Sequence, residues 1–356
     1  MKELGFKSAL LMSLSFAIVA CDKSDEPQTN IPVNTTEGLY VVNEGNWGSG
    51  NATLSYYNPQ TREVTNEVFY LSNGMRLGDV AQSMSVSNGV AWVVVNNSNV
   101  VYALDAQTKK ELGRIDAGLV SPRYVCAVSA DKIYISQMYS NKIAIVDAHK
   151  YEVTGYIEVP GMEAQSGSTE QMVLDGTQLY VSCWTYQKEI LRIDTTTDTL
   201  TGRLEVGIQP SSLMLDKHGK LWTLTDGGYN GNPLGYEAPQ IVRIDAKSLT
   251  VEKRYTFSLG DYLSDMCLNA SRDTLYWLKG GVCRMAVTDE TLPLKPFISY
   301  DGGSLYSITV APVTSDVYVA DAVDYVQQGV VSRYSSDGTL LDEFTVGVCP
   351  GAFCWQ

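Results

Sequence analysis

Seven times along the chain a short run of alternating apolar residues carries an aromatic side chain, and polar turn residues bracket each run. The centres are Tyr40, Trp92, Tyr134, Tyr180, Trp222, Tyr276 and Tyr318, separated by 52, 42, 46, 42, 54 and 42 residues. Period-two alternation rich in β-branched and aromatic residues predicts strands, and a repeat of this length matches one four-stranded blade. Within one repeat the segments 82–86, 90–95, 99–104 and 110–115 read as four antiparallel strands, A to D from the axis outward. Asp105, Asp147, Asp194 and Asp245 recur where strand C turns into D. Their carboxylates suit the backbone of their own turns, so a structural role is expected of them. The segment EVTNEVF reads as strand D of the first repeat.

The first repeat lacks an inner strand. At the other end TVGVCPGAFCWQ follows the logic of EVGIQPSSLML, where a D strand and a turn lead into the next A strand. Residues 353–356 are therefore expected at the inner edge of blade one, so that the C-terminus closes the ring and removes an exposed edge. The sequence thus predicts an all-β chain: a seven-bladed β-propeller of four-stranded antiparallel blades spanning residues 38–356.

That strand order sends the D-to-A and B-to-C connections to one rim, and the richer loops lie there: 43–51, 136–141, 183–188, 226–240 and 321–329. They carry Trp47, Tyr139, Trp184, Tyr186, Tyr229, Tyr236 and Tyr325, whose flat faces cover apolar surface while their polar edges select hydrogen bonds. Asn46, Gln137, Gln187, Asn230, Asn232, Gln327 and Gln328 add amides. The connections entering the A strands contribute Arg76 and Asp79, Arg123 and Tyr124, Glu170 and Gln171, and Asp261, Tyr262 and Asp265. Arg76 and Arg123 are candidates for a phosphate contact or for neutralising a nearby carboxylate.

Composition narrows the partners. A formal net charge of -14 opposes nonspecific binding to nucleic acid. Lys2 and Lys7 flank an apolar stretch over 10–20 that is short for a membrane span, and Val19-Ala20 precede Cys21. This reads as a signal peptide over 1–20 and lipidation at Cys21, followed by a Pro-containing acidic tether over 21–37. Six cysteines remain; Cys349 with Cys354 and Cys126 with Cys183 are disulfide candidates, and buried free thiols are the alternative.

Enzymatic signatures are sparse. His149 and His218 are the only histidines, both expected on the opposite rim, and no phosphate-cradling or dinucleotide motif occurs. No catalytic cofactor is expected. Asp321 and Asp324 suit a turn, calcium or acid-base chemistry, so calcium stays open.

The lipoprotein start, YVVNEGNWGSGNATLSYYNPQT, the repeated LYV and RID elements and PGAFCW together resemble the surface-exposed cobalamin-binding propeller lipoproteins of Bacteroidota, within a broader group of YncE-like exported propellers. The resemblance implies capture of cobalamin or a related corrinoid, without chemical conversion. It further implies a lipid-anchored place on the outer membrane and hand-over, from a monomer, to a TonB-dependent outer-membrane transporter. Glycan or extracellular-protein binding is the alternative on the same rim, and an exported hydrolase or lyase a more distant one.

Overall fold

A computed structural model describes residues 38–356. The signal peptide, Cys21 and the tether lie outside the described residues. Those described form 28 strands in seven four-stranded antiparallel sheets, arranged as the blades of a propeller.

Blade one joins Pro350–Trp355, Leu39–Asn43, Thr53–Asn58 and Glu63–Thr65, in that order from the axis. Blades two to seven follow in sequence, with inner strands Ala81–Ser87, Pro122–Ala127, Met172–Asp175, Pro210–Leu215, Met266–Leu268 and Leu305–Val310. Strands B and C lie between neighbouring blades, and residues on both faces are covered, as in Val90–Val95 and Lys220–Thr225. The outermost strands alternate, Thr199–Glu205 exposing every second side chain. Apolar layers between blades bind the ring: Tyr40 and Val42 of blade one pack with Val93 and Tyr102 of blade two, and Trp222 of blade five with Trp277 of blade six.

The closure expected of the C-terminus is present and longer than expected, the strand spanning six residues, Pro350–Trp355, of which five pair with Leu39–Asn43. Leu39 faces Trp355, Tyr40 faces Cys354 and Val41 faces Phe353. Trp355 also donates to Thr309 Oγ1 at 3.0 Å, which fastens the strand to blade seven. The turn aspartates do what their recurrence suggests: Asp105 accepts the amides of Gln107 and Thr108, Asp147 those of His149 and Lys150, and Asp245 that of Ser248. All six described cysteines are free thiols, so neither candidate pair is bridged.

One element departs from expectation. EVTNEVF is not a continuous strand: it stops at Thr65, Glu67 turns the chain at φ 54°, and Val68–Asn73 forms a helix. Phe69 there packs at a tilt against Tyr102 of blade two with ring centroids 4.9 Å apart. Packing between blades thus takes an apolar run out of the β period.

Candidate functional site

A repeated backbone device shapes the mouth of the axis. Just before strand A, Val80, Ser121, Gln209 and Cys349 adopt left-handed conformations, with φ between 40° and 58°. Their carbonyls accept the amide of the first residue after strand B: Asn96, Met138, Asp226 and Glu44. Ser304 accepts from Ala322 in the same way. Immediately afterwards each of these five A strands shifts register by a β-bulge. A bulge re-aims the extra side chain. The bulged residues are Gln82, Arg123 with Tyr124, Ser211, Tyr306 and Gly351, and all of them line one axial cavity of about 440 Å³. Glu44, Asn96 and Met138 line it as well, and Glu170, Trp184 and Asp265 complete a wall to which every blade contributes.

Polar groups inside this cavity are organised. Arg123 Nε sits 2.7 Å from Glu170 Oε2, the two side chains being 12% and 3% exposed. The guanidinium also bonds Gln82 and lies 5.9 Å from the Trp184 ring centroid. Burial opposes the charge on Arg123, but Glu170, Tyr124 and Glu44 together outweigh it, so its pKa rises. Trp184 Nε1 donates to Asp226 at 2.8 Å. Tyr306 donates to Glu44 at 2.7 Å, yet burial still pushes the Glu44 carboxyl up. Gly351 makes room for that pair, because a Cβ there would strike the Glu44 carboxylate. Asp265 has no cation partner among the described residues; it accepts the amides of Met266 at 2.8 Å and of Ile308, on the next blade, at 3.0 Å. Burial pushes its pKa up to about 7 against these two hydrogen bonds.

The family model described as Domain of unknown function (DUF5074) matches residues 37–346. This chain is a DUF5074 protein. No curated protein matches it. Solved structures similar to this DUF5074 propeller include a quinonprotein alcohol dehydrogenase-like protein from Bacteroides thetaiotaomicron, 17% identical, with a TM-score of 0.66 over 89% of this chain and 77% of that one. The periplasmic gluconolactonase of Pseudomonas aeruginosa is 13% identical, with a TM-score of 0.66 over 90% and 98%. A putative 6-phosphogluconolactonase from Bacteroides fragilis is 17% identical, with a TM-score of 0.63 over 91% and 98%. At such identities the likeness is one of fold.

The DUF5074 ring separates the residues expected to act together. Trp47, Arg123 and Trp184 meet at the axial cavity. Tyr186 and Tyr229 pair through their hydroxyls at 3.3 Å, and Tyr139, Tyr229 and Tyr236 are exposed on their loops. Tyr325 packs edge-on against Tyr306 at 5.7 Å. Arg76 lines a separate cleft with Phe69 and Tyr70 of the helix. Arg123 faces the cavity and is paired with Glu170, the carboxylate contact that the sequence offered beside a phosphate. Glu44, Gln82 and Tyr306 were not legible as site residues. Their shared signal is positional, one residue past strand B or on a bulge, and only the register reveals it. His149 and His218 lie in turns of the opposite rim, and Asp321 and Asp324 accept turn amides. Among the described residues no cluster of three or more His, Cys, Asp or Glu side chains is arranged to hold a metal ion, and no helix is long and apolar enough to cross a membrane.

Proposed function

We propose that this protein is a capture protein that seats a large amphipathic ligand, cobalamin or a related corrinoid, across the mouth of the propeller axis. The observation that carries this reading is a polar axial cavity, lined by Trp47 and Trp184, on the rim whose loops bear the other exposed aromatic rings. Trp47 is 80% exposed, and Tyr139, Tyr229, Tyr236 and Tyr325 stand open on the same set of loops. Exposed rings in one zone are costly to leave in water and suit a ligand with apolar edges. A corrinoid is larger than a cavity of about 440 Å³, so it lies over the mouth and sends only polar arms inward. Arg123, Glu170 and Gln82, held in place by one another, and Gln171, fixed by the Leu213 amide, offer those arms donors and acceptors. Lipidation at Cys21 and delivery to a TonB-dependent outer-membrane transporter belong to the same proposal and rest on the sequence resemblance.

Calorimetry and tryptophan fluorescence on the folded mature protein test this reading. Saturable cobalamin binding with a change in the tryptophan signal is expected, and no binding at micromolar concentration overturns it. A glycan that binds while cobalamin does not favours the saccharide alternative. One observation favours a hydrolytic reading: Asp265, held near pH 7 inside the cavity, has the protonation range of a general acid. Lactone hydrolysis lost in Asp265→Asn, with the fold intact, would establish that alternative.

A further inference from the structure

Beside the axial cavity, between blades six and seven, lies a second cavity of about 420 Å³. Its size falls within the roughly 300–1,000 Å³ usual for small-molecule sites. Tyr262, Tyr300 and Tyr325 stand around it over Leu278 and Leu305. Glycines open its edge, since a Cβ at Gly280 or Gly302 would meet nothing within 4 Å. Charge is absent from its surface in usable form. The nearby Asp321 carboxylate is saturated by the Tyr300 hydroxyl and by the amides of Ser304 and Val323, and Lys279 is paired with Asp261 at 3.2 Å.

The slot communicates with the axis. Ser264 lines both cavities, and Tyr325 lines the slot while packing on Tyr306, which lines the axis. Asn46 Nδ2 also donates to the Tyr325 carbonyl at 2.6 Å, tying the Trp47 loop to the same wall.

We infer that this slot is a subsite for a flat, uncharged aromatic ring carried as an appendage by a ligand seated on the axial mouth. The inference rests on the corrinoid reading, in which the appendage is the benzimidazole base of cobalamin's nucleotide tail. Tyrosine faces and leucine floors favour such a ring through stacking and burial, while the lack of an unpaired charge disfavours a phosphate or carboxylate. Tyr262, 67% exposed, supplies the ring most readily removed without harm to the core.

Binding of cobalamin and of cobinamide, which has the same corrin ring but no nucleotide base, separates the possibilities. Tyr262→Ala is expected to weaken cobalamin roughly tenfold, the scale of one stacked and buried ring, and to leave cobinamide within about twofold. Tyr262→Phe keeps the ring and should keep wild-type affinity for both. Equal loss for the two corrinoids, or no loss for cobalamin, overturns the subsite while leaving corrinoid capture standing. Failure of folded wild-type protein to bind either corrinoid overturns both.

Discussion

At the scale of single residues, the axial cavity is held by partners that satisfy one another, and Asp265 is the exception. Its carboxylate fastens blade six to blade seven through backbone amides, with no cation among the described residues to offset burial. Unfolded, the group releases its proton near 3.8; folded, it does so near 7. Between those values the folded state holds a proton that the unfolded state has lost, so stability falls as pH rises through the window. Glu44 adds to the same trend because its pKa is also raised by burial. Urea unfolding at pH 5 and pH 8 should therefore show wild type weaker at pH 8, with a smaller difference in Asp265→Asn. An identical pH difference in the two proteins would remove Asp265 as its source. Asp265, Arg123 and Glu170 were visible in the sequence as charged residues entering inner strands. The pairing of Arg123 with Glu170 was not, because they are 47 residues apart and meet only when blades three and four pack side by side.

At the scale of elements, alternation located the strands wherever both faces of a sheet meet a neighbouring blade. It failed at blade one, where the apolar run beginning at Val68 serves a helix that replaces most of the outer strand. The bulges were equally hidden, since one extra residue at a strand end leaves period-two alternation nearly unchanged. Yet both features shape the sites, the helix lining the cleft that holds Arg76 and the bulges turning Tyr306 toward the axis. The helix is held chiefly by Phe69, which is 1% exposed, and by Asn73, whose side chain bonds the carbonyl of Lys109 and the amide of Glu111 in blade two. Phe69→Ala should cost about 3–5 kcal/mol, the usual range for emptying a buried phenylalanine site. Urea unfolding measures it, and a loss below about 1 kcal/mol would show that the helix is a surface ornament rather than part of the blade interface.

At the scale of the whole molecule, the ring depends on a strand contributed from the far end of the chain. This was legible because TVGVCPGAFCWQ copies the passage into another blade, and the structure gives the copy a physical basis. Gln209 before Pro210 and Cys349 before Pro350 share the same left-handed conformation and the same bulge two residues later. Pro350–Trp355 completes the hydrogen bonds of Leu39–Asn43, and Trp355 stacks edge-on with Tyr318 at 5.3 Å. Without it, the inner edge of Leu39–Asn43 is unpaired, Glu44 loses the Cys349 carbonyl's neighbouring strand, and blades one and seven face water along apolar surfaces. Deleting 350–356 should therefore lower the melting temperature, broaden urea unfolding and enlarge the radius of gyration, because a ring opened at one interface frees its flanking blades together. Ligand affinity should fall with it, since Gly351, Glu44 and Tyr306 meet at that seam. Unchanged melting and unfolding in the truncated protein would mean that the last strand only decorates a ring already closed by blades one and seven.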